Sequence, residues 1–266
     1  MRVATWNVNS LRARVDRVID YLERAQIDVL LMQEIKCKPE QAPVLAFEAA
    51  GYEVALHGVN QWNGVGIASR VGLADVAMAF PAQPAFGKAG QDAVVEARAI
   101  GATCGPLSAW SVYVPNGRGV ADPHYPYKRQ FLATLADAAA GWASRPTVIG
   151  GDFNVAPLAT DIWDESDPEA QTHVTADVRE DLARLEKAGY TELSRRFIPE
   201  ERRYTFWDYK QLRFPRNEGM RIDFLYGSPS ASTAATAAMI DRDERKGKGA
   251  SDHVPVVIDF DASALA

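Results

Sequence analysis

The chain has 266 residues, 47% of them hydrophobic and 24% charged, with a formal net charge of −6. This composition suits a globular protein with a substantial core, and the acidic balance argues against a general polyanion binder. No run of about 18 apolar residues occurs, so nothing reads as a membrane span. The opening "MRVATWNVNS" lacks the apolar core and small-residue cleavage site of a secretory signal, and a cytoplasmic protein is expected. The two cysteines, Cys37 and Cys104, show neither zinc-like spacing nor a disulfide framework. Lysines on both sides of Cys37 favour a lowered thiol pKa, but an uninvolved surface thiol is the simpler expectation.

In chain order, "RVATWNV" reads as a strand. Leu11, Val15, Val18, Leu22 and Ala25 then repeat at helical spacing behind Ser10, a plausible N-cap. "DVLLMQE" reads as a fully buried strand, followed by a helix from Pro39 to about Ala50. "YEVALHG", "GVGIAS", "ADVAMAF", "EARAIGA" and "LSAWSVYV" follow in quick succession as strands. A long helix is expected over 127–143, a buried strand in "PTVIGGDFN", a loop over 160–174 and a helix over 176–188. "RIDFLYGS", a weaker "AMIDR" and "VPVVIDF" supply the last strands, while "PSASTAATAAM" reads as a loop plus an edge strand. No linker and no repeat unit interrupts this pattern. It predicts one α/β domain over 1–266, a sandwich with sheets packed face to face and helices outside.

Several buried strands carry a polar residue at one end: Asn7 and Asn9, Glu34, Tyr113 and Asn116, Asp152 and Asn154, Asp223, and Asp252 with His253. Each alone is an ordinary turn residue. Together they stand at strand ends of one sandwich, where sites are built. Acids, amides, one His and one Tyr, without a nucleophilic Ser or Cys motif, suit a hard cation bound by carboxylates, waters and a substrate phosphate. Charge is also unevenly spread. Residues 161–169 hold five acids and no base, whereas 202–221 hold six Lys or Arg against two acids, interleaved with Tyr204, Phe206, Trp207, Tyr209 and Phe214.

The motifs "WNVNSLRAR", "QEIKCK", "YVPNGRG", "GGDFNVAP", "TFWDYKQLRFPRNEGMRIDFLYGS" and "SDHVPV" resemble, in order and spacing, the exonuclease III family of DNA repair nucleases. That family lies within the wider DNase I-like superfamily of metal-dependent phosphoesterases, and the resemblance runs from Met1 to about Phe260. It implies a four-layered α/β sandwich of two mixed sheets flanked by helices. It also implies Mg2+ (or Mn2+) dependence and cleavage of the DNA phosphodiester 5′ to an abasic site, with 3′-5′ exonuclease and 3′-phosphatase activity, in base excision repair.

Carried over, Glu34 is the principal metal ligand, with Asp252 and Asn9 completing the metal region. Asn7 belongs both to that region and to the phosphate site. Asp152 orients or deprotonates the attacking water, with Asn154 beside it. His253, paired with Asp223, contacts the scissile phosphate, as does Tyr113. Phe206, Met220 and Ile222 wall the pocket for a flipped abasic sugar. Arg118, Asn116, Lys210 and Arg221 contact DNA, and the stretch 202–221 grips its phosphates. Asn9 stands where animal relatives of the family carry an aspartate, which makes its metal role indirect. Met220 replaces their pocket tryptophan with a more adaptable wall, which favours exonuclease activity. The expected partner is double-stranded DNA with abasic sites or 3′ ends, met by a monomer without a membrane. The rival readings are another phosphoesterase of the superfamily, such as a nonspecific nuclease or phosphoinositide phosphatase, and a non-catalytic DNA-binding relative.

Overall fold

The computed structural model describes residues 1–87, 90 and 92–265. Chain order is β1 (Arg2–Asn7), α1 (Leu11–Arg24), β2 (Val29–Gln33), α2 (Val44–Ala49), β3 (Glu53–His57), β4 (Val65–Ser69), β5 (Ala74–Ala77), β6 (Ala99–Cys104) and β7 (Leu107–Tyr113). There follow α3 (His124–Ala140), β8 (Thr147–Asp152), α4 (Gln171–Val174), α5 (Ala176–Lys187), β9 (Thr191–Glu192), α6 (Arg213–Arg216), β10 (Asp223–Gly227), α7 (Pro229–Ala234), β11 (Ala235–Ile240) and β12 (Val256–Phe260). They build two six-stranded sheets, ordered β11-β12-β1-β2-β4-β3 and β5-β6-β7-β8-β10-β9.

Alternation along each strand makes four layers. In β1, Val3 joins Leu31, Ile67 and Ile258 against Val148 and Leu225 of the other sheet, while Ala4 and Trp6 pack under Val18 and Leu22 of α1. On the far side, Ile149 and Phe224 pack against Phe131 of α3 and Leu182 of α5. The sandwich is the expected architecture.

Both sheets share one connectivity. In each, a parallel central pair is joined by a helical crossover, β1-α1-β2 and β7-α3-β8, and every further strand runs antiparallel to its inner neighbour. The parallel pairs end at Asn7 and Gln33 in one sheet and at Tyr113 and Asp152 in the other. Because β10 is antiparallel to β8, its first residue, Asp223, sits opposite Asp152. Because β12 is antiparallel to β1, with Thr5 opposite Val256, the residues just before β12 arrive beside Asn7. One end of the sandwich thereby collects the polar strand ends.

Two glycines let this happen in β8. A Cβ at Gly151 would lie 1.9 Å from the Val112 carbonyl oxygen, and one at Gly150 would lie 2.7 Å from Leu31 and Leu225. Any side chain there would prise β8 from β7 or the two sheets from each other.

Some boundaries differ from expectation. The helix expected from Pro39 is split into a 3-10 turn over Pro39–Gln41 and α2, because Pro43 cannot continue a helix from the first turn. The loop over 160–174 ends in α4, and the small-residue segment after Ser228 opens as α7, with Pro229 in its first turn, before the edge strand β11. Cys37 is no surface thiol: it is buried beside Ile35 and Trp6, and burial raises its pKa despite nearby Arg12. No helix among the described residues is long and apolar enough to cross a membrane.

Candidate active site

Asn7, at the end of β1, is buried and uses its side-chain amide as a bridge. Nδ2 donates to Glu34 Oε1 at 2.8 Å and to Asp152 Oδ2 at 3.0 Å, tying a carboxylate of each sheet together. Its Oδ1 accepts the Asn9 N–H at 3.0 Å. Asp152 Oδ1 accepts the Asn154 N–H at 2.9 Å, in the local turn that short Asp-x-Asn segments favour. Glu34, Asn9 and Asn154 all have φ between 43° and 53°, the left-handed region that costs non-glycine residues free energy and clusters at functional sites.

On the other side, His253 Nδ1 lies 2.9 Å from Asp223 Oδ2, and its Nε2 faces Asp152 Oδ2 at 3.8 Å. The loop before β10 fixes this pair. Phe206 bridges to both Met220 and His253, and the Thr205 hydroxyl donates to Asp223 Oδ2 at 2.6 Å while accepting the N–H groups of Ile222 and Asp223. The aromatic stretch thus works as an extra short strand that holds the ends of β10 and β12 in register.

Electrostatics follow from burial. Desolvation pushes Asp152 up to about 7, opposed by His253 and reinforced by Asp223 and Glu34. Burial lowers the His253 pKa, but Asp223 and Asp152 outweigh it and hold it at about 10. Burial likewise disfavours ionised Glu34, yet Lys36 and Asn7 win and leave its pKa below the usual range. Tyr113, over whose ring Arg98 lies at 4.9 Å, has its pKa driven well up by burial and then by Glu34.

A cavity of about 250 Å3 opens at this cluster, lined by Glu34, Tyr113, Asn116, Asp152, Asn154, Phe206, Lys210, Met220, Ile222, Asp252 and His253. Fourteen of the residues expected in the site are therefore either here or hydrogen-bonded to it, counting Asn7, Asn9 and Asp223.

The structure corrects one expectation and bears on three more. Arg221 is 2% exposed, with Nη2 on Ser194 Oγ at 2.6 Å and near Glu192, behind the pocket wall rather than on it; a guanidinium enclosed by the fold cannot meet DNA. The side-chain oxygens of Asn9 and Asn7 each already accept one hydrogen bond: Lys36 Nζ donates to Asn9 Oδ1 at 2.6 Å, and Asn7 Oδ1 takes the Asn9 N–H. Among the described residues, the ligand-capable atoms that lie within 4.8 Å of one another are those of Glu34, Asp152 and His253; Asp252 lines the cavity but stands outside that group, its Oδ1 accepting from Asn9. Last, the basic stretch 202–221 is partly paired within the fold, two of its six cations meeting the acidic stretch. Arg213 pairs with Asp167 at 2.8 Å, Lys210 approaches Glu169 at 3.8 Å, and Arg216 pairs with Glu218 at 2.5 Å. Arg118 is exposed and stands over Phe86.

Four site residues escaped the sequence reading. Lys36 Nζ lies 2.6 Å from Glu34 Oε2, and only its place two residues beyond Glu34 hinted at this. Thr205 gave no signal apart from its motif. His173 lines the cavity with Nε2 3.2 Å from Asn154 Oδ1, and burial then Lys128 drive its pKa well down, so it is neutral. Lys128, of α3, is wholly buried and donates to the carbonyl oxygens of Asn154 (2.5 Å), Thr172 (2.7 Å) and Asn116 (3.1 Å).

Two sheets meeting at a cluster of carboxylates, amides and a carboxylate-paired imidazole define a hydrolase of phosphate esters, the chemistry such donors serve. The chain belongs to the endonuclease/exonuclease/phosphatase family, which it matches over residues 4–253. Exodeoxyribonuclease III of Haemophilus influenzae is 28% identical over 270 residues, covering 98% of this chain and 100% of that one. An AP endonuclease from Archaeoglobus fulgidus superposes with a TM-score of 0.89 at 30% identity, covering 98% and 100%. The 3′-5′ exonuclease NExo of Neisseria meningitidis superposes with a TM-score of 0.89 at 33% identity, again covering 98% and 100%; NExo also has a structure as a 3′ phosphatase bound to product DNA hairpin.

Proposed function

We propose that this protein is a divalent-metal-dependent DNA repair nuclease that hydrolyses the phosphodiester 5′ to an abasic site and also removes nucleotides and phosphates from 3′ ends. Likeness to an exodeoxyribonuclease III, an AP endonuclease and a 3′-5′ exonuclease over nearly the whole chain supports it. The observation that carries the reading is the charge arrangement at His253. Asp223 on one side keeps the imidazole protonated, while Nε2 faces the buried carboxylate of Asp152 at 3.8 Å.

A phosphate oxygen fits against the imidazolium N–H, with the attacking water on Asp152. Asp152, whose pKa lies near neutrality, takes the water's proton. Asn7 holds Glu34 and Asp152 in place, and Phe206, Met220 and Ile222 wall an apolar slot that suits a base-less sugar. Glu34 and Asp152, with Asp252 lining the same cavity, supply hard oxygen donors, and burial reinforced by Asp223 and Glu34 disfavours the Asp152 anion, an excess of charge that a cation balances. Mg2+, or Mn2+ in its place, would be held there and supply charge neutralisation at the phosphate and the leaving oxygen. The product strand carries a 3′-hydroxyl.

The test is a labelled duplex with one central abasic-site analogue, incubated with Mg2+ or EDTA, beside Asp152→Asn. A single metal-dependent nick 5′ to the site, lost in the variant, is expected. An intact abasic strand shortened only from its 3′ end would confine the activity to 3′ ends. Turnover of a soluble phosphoinositide in preference to DNA would overturn the reading.

A further inference from the structure

Beside the active-site cavity lies a second concavity, of about 590 Å3, that shares Tyr113 and Asn116 with it. Its walls come from elements the site does not use. The connection between β3 and β4 carries Trp62 at its rim, and Phe86 and Val94, joined as a two-residue antiparallel bridge, form a wall. Arg118 closes the side nearest the site, its guanidinium 6.0 Å above the Phe86 ring.

Trp62 is 72% exposed and Val94 60% exposed. The other five tryptophans are buried or half-buried. An indole left in water on a turn of polar neighbours serves no core, since its face touches no cluster of the fold. Charge at the groove is also telling. Arg98 is neutralised by Glu96 at 2.6 Å, whereas Arg118 makes no ion pair among the described residues.

We propose that this groove takes an unpaired nucleobase of the strand being cut, next to the scissile phosphate, with the base stacked on Trp62 and its phosphate held by Arg118. The inference rests on the reading of the site as a nuclease that acts on DNA. A base inside a duplex has both faces covered by its neighbours, so an exposed indole gains most from a nucleotide that is frayed or displaced at a strand end. Stacking on an aromatic side chain is indifferent to base identity, as a nuclease without sequence preference requires. The groove's continuity with the catalytic cavity through Tyr113 and Asn116 places that nucleotide adjacent to the reacting one.

The isolated exposure of Trp62 makes the test direct. In EDTA, an oligothymidylate of about eight nucleotides is titrated into the protein while tryptophan emission is followed, with a blunt hairpin duplex as the comparison. The oligothymidylate is expected to quench emission and the hairpin to do so far less. Trp62→Leu is expected to remove most of the quench, leaving the part due to Trp163 at the catalytic cavity, and to weaken oligothymidylate binding about tenfold, while Trp62→Tyr retains most of the affinity. In Mg2+, Trp62→Leu should raise KM for a frayed 3′ end and leave kcat and the KM for a blunt end unchanged. Equal oligothymidylate affinity in wild type and Trp62→Leu, or equal quenching by the hairpin, overturns the proposal. If oligothymidylate quenches Trp62 yet no DNA is cut, the nuclease reading fails and the groove stands. If DNA is cut with the same KM for frayed ends in both proteins, the groove fails and the nuclease reading stands.

Discussion

Asp223 Oδ2 lies 2.9 Å from His253 Nδ1 and accepts the Thr205 hydroxyl at 2.6 Å, so a buried carboxylate is both oriented and committed to the imidazole. Replacing it separates charge from shape. Asp223→Asn keeps the volume but removes the anion that holds the His253 pKa at about 10. We expect kcat to fall about 100-fold and the alkaline limb of the pH–rate profile to move toward lower pH. The same pair affects stability with a defined sign. His253 titrates higher in the folded chain than in the unfolded one, at about 6.5, so its contribution is complete below that pH and is lost as pH rises toward 10. Denaturant midpoints between pH 6 and 10 should fall more steeply for the wild type than for Asp223→Asn.

Metal binding to the folded state alone should raise the melting temperature. Mg2+ at 100 times its Kd corresponds to about 2.7 kcal/mol, readable by calorimetry without any substrate. Glu34→Gln should remove most of that rise, whereas Lys36→Met, which frees the Glu34 carboxylate from the ammonium 2.6 Å away, should leave it in place or enlarge it. A rise that persists in Glu34→Gln would place the ion elsewhere.

Lys128 has three backbone carbonyls for partners, one on each of the segments carrying Asn116, Asn154 and His173. Lys128→Met would leave those carbonyls unpaired, with a cost of about 2 kcal/mol. Slippage of the three segments by even ~1 Å should cost kcat about 100-fold. Burial lowers the folded pKa of Lys128 to about 7, with Asp152 opposing. Between that pH and the unfolded value of about 10.4 the unfolded chain binds the extra proton. The stability of the wild type relative to Lys128→Met should therefore rise as pH increases from 7 to 9; a flat difference would mean that the ammonium is not destabilised by its surroundings.

Arg221 and Lys210 should trade effects. Arg221→Ala removes a buried guanidinium from Ser194 and Glu192 and should destabilise by about 3 kcal/mol without altering the salt dependence of DNA affinity. Lys210→Ala, at the exposed mouth of the cavity, should leave stability unchanged and reduce the slope of log K against log salt by about 0.9. Equilibrium unfolding and a salt titration of binding measure the two.

The polar strand ends were legible in the sequence because strong β-branched runs announce where strands stop, and an acid or amide there stands out. Asn7, Glu34, Asp152, Asp223 and His253 could be found that way, and strand direction then gathers them. Lys128, His173 and Thr205 could not, since their importance arises from contacts across 18 to 44 residues, which no local pattern encodes. Arg221 shows the complementary failure. A sequence displays its charge but not that Ser194 and Glu192 enclose it, nor that Asp167 claims Arg213. The helix expected from Pro39 to about Ala50 took no account of Pro43, which stands at the N-cap of α2 and divides the segment.

Asn7 ends the third strand from one sheet edge, and its neighbours Asp252 and His253 come from a part of the chain synthesised more than 240 residues later. A nascent polypeptide halted on the ribosome before residue 252 has Glu34 and Asp152 but neither the imidazole nor the strand that seats it beside β1. Activity therefore requires translation past His253, so that the long-range pairing of β12 with β1 can close the first sheet, and fragments halted earlier are harmless to the DNA around them.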